Sequence, residues 1–210
     1  MIEVEHQINA VRREVGTRTF EAGQARTVTI SQTYDAGVED VWDACTNPAR
    51  IPRWFLPITG DLRLGGRYQL EGNACGTIER CEPPTSFTAT WEYGGEVSRI
   101  ELRLSRERDR HTRLELLHIA HVDNDKWAEF GPGAVGVGWD LGLMGLAIHL
   151  SSNETVDRQQ SAAWLASEDG RRFTALSSDR WRYASVAAGT DEAAARAAAE
   201  RTAAAYGSFS

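Results

Sequence analysis

The longest strongly apolar segment of the chain covers residues 131–150, and its only acidic residue is Asp140. Its large apolar side chains include Trp139, Leu143, Leu146 and Leu150. Their spacings of four, three and four residues place them on one face of a helix. A helix this apolar is expected to be buried along most of its length. The rest of the chain is therefore expected to supply the surfaces that cover it.

Residues 26–34 and 67–118 show the alternation of apolar and polar positions that is typical of β-strands. In residues 97–105, for example, Ile100, Leu102 and Leu104 share one face, and charged residues occupy the other. Short turns such as Gly94-Gly95 separate the strands, which favours an antiparallel meander. The predicted strands are 26–34, 67–71, 75–81, 86–93, 97–105 and 112–118. Two short helices, 38–45 and 49–55, are predicted between the first two strands.

Helical patterns also occur at both ends of the chain. Residues 2–15 are predicted to form a short amphipathic helix, and residues 169–187 and 191–206 two further helices. The last helix is dominated by alanine, which favours helix formation but buries little surface, so it needs a partner surface. That surface is either the chain's own domain or a second copy in a homodimer formed through the terminal helices.

Composition excludes several classes of function. The net charge of −7 argues against nonspecific binding of nucleic acid or an anionic membrane, because both require a positive field. The three cysteines lack the spacing of a metal site and predict reduced thiols in the cytoplasm. The apolar segment 131–150, interrupted by Asp140 and His149, falls short of a membrane span. We therefore expect a cytoplasmic protein with no metal, cofactor, nucleic-acid partner or membrane partner.

The glycines of residues 131–136 match the pattern G-x-G-x-x-G and precede the apolar helix. A dinucleotide-binding fingerprint should directly follow a strand in a βαβ unit. Here a polar segment, 123–130, separates the glycines from the last predicted strand. The glycines are therefore interpreted as a helix entry and as points where the helix closely approaches the sheet.

Six sequence motifs, taken together, resemble a known superfamily. They are VEDVWDACTNPARIPRWF (38–55), GDLRLGGRYQL (60–70), GTIERCEPP (76–84), the Trp91-Glu92 strand end, TRLELLH (112–118) and GVGWDLGL (136–143). Their order resembles the START-like, helix-grip (SRPBCC) superfamily, and in particular its branch related to the activator of the ninety-kilodalton heat-shock protein ATPase. The resemblance implies an α+β fold in which a curved antiparallel sheet grips a long C-terminal helix. It also implies a cavity between them that holds a small apolar ligand.

The resemblance also suggests a domain organisation. Residues 26–152 would form the helix-grip domain. Residues 1–25 would be an amphipathic helical extension at the N-terminus, and residues 153–210 a helical extension at the C-terminus.

Two ionisable residues are candidates for chemistry in such a cavity. His118 shares the inward parity of Leu114 and Leu116, so it either projects into the cavity or is a hydrogen-bonded core histidine. His121, three positions on, is expected on the rim or exposed. Asp140 is either a pocket-lining general base or a marker of the exposed edge of the helix. No catalytic residue follows from these patterns alone.

Aromatic residues complete the predicted ligand pocket, because small-molecule sites are apolar with a few polar groups. The predicted lining residues are Trp54, Phe55, Tyr68, Trp91, Leu116, His118, Trp139 and Leu143. The leading hypothesis is a protein that binds a small hydrophobic or aromatic molecule. The alternatives are a cyclase- or aromatase-like enzyme that uses His118 or Asp140 in the same cavity, and a chaperone-related or other protein-interaction module.

Overall fold

The computed structural model of the protein describes residues 3–20, 23–121, 124–152 and 154–207. These residues contain both helices and strands, and the predicted α+β class is confirmed. The helices are α1 (Val4–Ala10), α2 (Val38–Thr46), α3 (Asn124–Phe130), α4 (Gly133–Ser152), α5 (Arg158–Leu165), α6 (Glu168–Ala187) and α7 (Glu192–Gly207). The strands are β1 (Val11–Phe20), β2 (Gly23–Tyr34), β3 (Ile58–Gly60), β4 (Arg67–Leu70), β5 (Cys75–Glu82), β6 (Ser86–Tyr93), β7 (Glu96–Arg108) and β8 (His111–Ala120).

The described strands form one sheet with the order β1-β2-β8-β7-β6-β5-β4-β3. From β3 to β8 each strand pairs antiparallel with the next along the chain, so the predicted meander is confirmed. Apolar residues face each other across strands, as in the pair Leu102 and Leu116. Such directly opposed side chains stabilise the pairing and set its register.

The chain divides into two compact units. The helical unit comprises Met1–Ile30, His121–Met144 and Asp157–Ser210. The sheet unit comprises Ser31–Ala120 and Gly145–Val156. The long helix α4 contributes its first part to the helical unit and its last part to the sheet unit. The three predicted domain boundaries remain predictions, and both predicted extensions include residues outside the described ranges.

In the sheet unit, α2 packs on β7 and β8. The predicted inward residues Ile100, Leu102 and Leu104 are buried, as expected from their alternation. The predicted helix 49–55 is shorter than expected, a single 3-10 turn at Ile51–Arg53. Pro52 has no backbone N–H, so it is tolerated in a first helical turn but cannot extend the hydrogen-bond ladder.

In the helical unit, the first helix ends at Ala10, and the chain continues as β1. The prediction of a helix through residue 15 was therefore wrong beyond Ala10, and residue 2 lies outside the described ranges. Val11, Val15 and Thr17 are β-branched and alternate with charged or small residues, which suits a strand better than a helix. Apolar spacing alone could not separate the two periods over so few residues.

The predicted C-terminal helices are confirmed as α6 and α7, with bounds within one residue of those expected. Ser167 begins α6 as an N-cap, and its Oγ accepts a hydrogen bond from the Gly170 N–H. Two shorter helices, α3 and α5, were not predicted. The segment that forms α3 was interpreted as a polar loop, because its seven residues are too few to show a helical period.

Both terminal helices are covered by other parts of the helical unit. Val4 and Ile8 of α1 form a buried cluster with Phe173 of α6. The small buried residues of α7, which include Ala195 and Ala198, lie on a helix that packs on α6 and α3. The chain itself therefore supplies the partner surface that the alanine-rich helix was predicted to need. The homodimer remains a prediction.

Candidate functional site

One face of the sheet unit gathers four of the predicted pocket residues. Cross-strand pairing relates His118 to Ile100, Ile100 to Ala89, and Ala89 to Ile78. Because opposed residues and residues two apart share a face, the same face carries Tyr68, Trp91, Leu116 and His118. The Tyr68 hydroxyl donates to the Thr90 carbonyl oxygen at 2.7 Å. Burial raises the pKa of Tyr68, so the phenol is neutral and acts as a donor.

His118 is the polar centre of this face. Its side chain is 5% exposed, and its ring lies edge-on to Trp91 with centroids 6.1 Å apart. Nε2 lies 2.8 Å from the Ser98 Oγ, which donates its own hydrogen to the Trp91 carbonyl oxygen. Because the Ser98 hydroxyl uses its hydrogen in this bond, His118 carries its ring hydrogen on Nε2 and donates it to the Ser98 Oγ. Burial lowers the pKa of His118 to about 4, so the imidazole is neutral at physiological pH.

Trp54 and Phe55 form a second aromatic pair in the sheet unit. Their ring centroids are 5.4 Å apart, and the Trp54 indole N–H donates to the Ala44 carbonyl oxygen at 2.9 Å. This bond ties the segment after the 3-10 turn to α2. At Gly145 a Cβ atom would lie 2.3 Å from the Trp54 carbonyl oxygen, so only glycine allows this approach.

The remaining two predicted pocket residues, Trp139 and Leu143, lie on the part of α4 that belongs to the helical unit. Leu143 is 4% exposed, and Trp139 is partly buried. The predicted set is thus divided between the two units, and a shared pocket remains a prediction. Two cavities among the described residues are lined by other side chains.

Asp140 lies in the helical unit, where it is fully buried. Arg13 of β1 donates to both carboxylate oxygens, at 2.6 and 3.0 Å. Two groups of α6 also donate, the Ser177 hydroxyl at 2.6 Å and the Trp181 indole N–H at 2.9 Å. The expectation that Asp140 marks an exposed edge of the helix was therefore wrong. The Asp140 carboxylate accepts four hydrogen bonds and forms a buried ion pair with Arg13, which indicates a structural role. This geometry gives no support to a role as a general base.

The glycine motif begins α4, as predicted. Gly131 has a positive φ of 60° after α3, and α4 begins at Gly133. A helix precedes the motif where a dinucleotide fingerprint requires a strand. The predicted close approach occurs, but not to the sheet. A Cβ atom at Gly136 would lie 2.3 Å from the Trp181 ring of α6.

Sequence reasoning missed a polar network at the C-terminal end of α4. His149 is 1% exposed, its Nε2 accepts from the Arg50 guanidinium at 3.3 Å, and its Nδ1 donates to the Glu154 carbonyl oxygen at 3.1 Å. Arg50 also pairs with Asp40 and Asp43. Burial, followed by the nearby arginines, lowers the pKa of His149. A histidine in the last turn of an apolar helix was the available signal.

No group of three potential metal ligands occurs among the residues that the structure describes. By length and composition α4 could cross a membrane, so the expectation that this segment falls short of a span was wrong on those two criteria; 50% of its apolar window is buried in the protein.

Comparison with known proteins places these features in a family. Residues 35–151 match the family model "Activator of Hsp90 ATPase homolog 1-like protein". The chain belongs to this family. The predicted branch and the helix-grip fold are thereby confirmed, and the fold is a ligand-binding one. No curated protein matches the chain significantly.

Among solved structures, the chain is similar to CalU16 from Micromonospora echinospora. The CalU16 crystal structure is 38% identical, has a TM-score of 0.63, and is matched over 86% of this chain and 99% of its own. Its solution structure is 40% identical, has a TM-score of 0.69, and is matched over 86% and 97%. A Rhodobacter sphaeroides protein, 19% identical with a TM-score of 0.53 over 69% and 99%, shows the fold alone. The likeness to CalU16 extends beyond residues 35–151 of the family domain.

Proposed function

We propose that this protein binds a small, mainly apolar aromatic molecule on the sheet face that carries Tyr68, Trp91, Leu116 and His118. The main support for this proposal is His118, a buried neutral imidazole that is hydrogen-bonded to Ser98 on an otherwise apolar and aromatic face. Small-molecule sites combine an apolar lining with a few oriented polar groups, and this face has that composition.

Within the sheet unit, the proposed pocket also includes Trp54 and Phe55, as predicted from the sequence. The paired rings of Trp54 and Phe55 supply a further aromatic surface within the sheet unit. The three free cysteines support a reducing compartment such as the cytoplasm.

The binding role is favoured over the enzymatic alternative because of the state of the two candidate residues. A general acid or base works best when its pKa lies near the working pH, whereas burial holds the pKa of His118 at about 4. Asp140 already accepts four hydrogen bonds. The interaction alternative loses its motivation, because α1 and α7 are covered by α6 and α3.

Titration with 4-phenylphenol, followed by the NMR signals of the Trp91 indole and the His118 ring, tests the proposal. We expect saturable shifts of both signals. Trp91→Ala should weaken binding about tenfold or more, since buried aromatic contacts dominate binding energy. Val97→Ala is the control, because Val97 lies on the neighbouring strand β7 with the opposite parity to Ile100 and is 65% exposed. Equal affinities of the two variants, or no shift of either signal, would refute the site.

A further inference from the structure

The helical unit contains a cavity of about 320 Å³, distinct from the sheet face described above. Residues of α3, α6 and α7 line it, together with Arg26 and the glycine turn before α4. Its volume is at the lower end of the range for small-molecule sites, about 300–1,000 Å³. The space exists because α7 presents alanines, among them Ala195 and Ala198, where larger residues would fill it.

Ser178 of α6 lines this cavity and is 2% exposed. Its Oγ has no hydrogen-bond partner among the described residues. The other buried hydroxyl groups of α6 have partners: Thr174 donates to Gly170, Ser177 to Asp140 and Ser185 to Thr190. A buried hydroxyl without a hydrogen-bond partner is unfavourable and is rare in folded proteins. A ligand that hydrogen-bonds to the Ser178 hydroxyl would remove this cost.

The rest of the lining selects the ligand's chemistry. The Trp181 indole N–H is already bound to Asp140, so the side chain offers the cavity an apolar ring. Trp127 adds a second indole, and the Arg26 guanidinium stacks on it 4.9 Å from the ring centroid. Flat apolar walls favour a planar aromatic ligand.

The charges of the lining residues narrow the class of ligand further. Two arginines and no acidic residue are found among the described residues that line the cavity. Arg182 forms ion pairs with Asp179 and Glu192. The lining of the cavity therefore favours a ligand with an electron-rich polar group and disfavours a cation. We infer that this cavity is a second ligand site for a planar aromatic molecule carrying one hydroxyl or carboxylate group, bound with that group on the Ser178 Oγ.

Calorimetric titration of the protein with 2-naphthol, with naphthalene as the apolar analogue, tests the site. We expect 2-naphthol to bind more tightly than naphthalene. Ser178→Ala should abolish this preference by weakening 2-naphthol binding about fivefold or more, the effect of one lost hydrogen bond. Ala195→Leu should fill the cavity and remove binding. Ala193→Leu, on the exposed side of α7, is the matched control and should bind normally.

The variant Trp91→Ala separates this site from the sheet face, because it alters only the latter and should leave 2-naphthol binding at Ser178 unchanged. A crystal structure with 2-naphthol should show its oxygen on the Ser178 Oγ. A bound water there with no ring in the cavity would overturn the inference. So would 2-naphthol affinity that is unaffected by both Ser178→Ala and Ala195→Leu.

Discussion

Each unit of the protein buries one ionisable side chain that the sequence marked as a candidate for chemistry, and the two are handled in opposite ways. In the helical unit, Asp140 is fully buried and receives four hydrogen bonds, two of them from Arg13. In the sheet unit, His118 is 5% exposed, and burial holds it in the neutral form beside Ser98.

The difference follows from the cost of removing charge from water. A buried carboxylate must be paired and hydrogen-bonded, and removal of one partner leaves an uncompensated charge. An imidazole avoids this cost by losing its proton, because desolvation lowers its pKa. A side chain that is hydrogen-bonded by groups of its own protein, as Asp140 is, has a structural role. A neutral polar group on an aromatic face remains suited to a ligand.

The largest effect is expected for Arg13→Met, which leaves the Asp140 charge buried without its ion-pair partner. The free energy of unfolding should fall by about 3 to 5 kcal/mol. Urea unfolding followed by circular dichroism measures it. The control is Arg12→Met, an exposed arginine on the same strand, which should change stability by less than about 0.5 kcal/mol. Similar losses in both variants would remove the ion pair as the reason for the burial of Asp140.

The second effect concerns pH and His118. Its folded pKa of about 4 lies below the ordinary value of 6.5, so between these values the unfolded chain binds a proton that the folded protein does not. The stabilisation is therefore complete above pH 6.5 and is lost as the pH falls toward 4. The loss reaches at most about 3 kcal/mol.

His118→Gln is the matched variant for this measurement, because glutamine retains an N–H donor for Ser98 but does not titrate. The difference in unfolding free energy between the wild type and the variant should narrow or reverse as the pH falls from 7 to 4. His149, whose pKa burial also lowers, is present in both proteins, so its contribution cancels. A difference that is independent of pH would show that His118 is not held neutral.

The smallest effect compares two serines. The Ser177 hydroxyl donates to the charged Asp140 carboxylate at 2.6 Å, whereas Ser98 contacts the neutral His118 at 2.8 Å. Hydrogen bonds to charged groups are the stronger kind. Ser177→Ala should therefore cost about 2 kcal/mol of unfolding free energy and Ser98→Ala about 1 kcal/mol. Thermal and urea unfolding of both variants decides this, and the reverse order would contradict the contrast between the two regions.

Much of the fold could be predicted from local patterns. Alternation at Ile100, Leu102 and Leu104 predicted a strand with a buried face, and these residues are buried. Spacing and end signals placed α6 and α7 within one residue of their bounds. Prediction failed at β1, where β-branched residues at helical spacing mimicked an amphipathic helix, and at α3, which is too short to show a period.

The candidate site was less predictable than the fold. Strand parity placed His118 on the inward face, but its pKa depends on desolvation and on Ser98, which lies on the neighbouring strand. The unpartnered hydroxyl of Ser178 has no sequence signature, because other buried hydroxyl groups of α6, those of Thr174 and Ser177, have partners.

The sequence by itself determined the α+β class, the meander, the apolar character of α4 and the family, because each depends on the identity and order of neighbouring residues. Only the tertiary structure decided what Asp140 does. Its partner Arg13 is 127 positions away, and Ser177 and Trp181 are 37 and 41 positions away. A charge's role depends on which donors surround it, and folding brought these donors to Asp140 from two distant segments of the chain, β1 and α6.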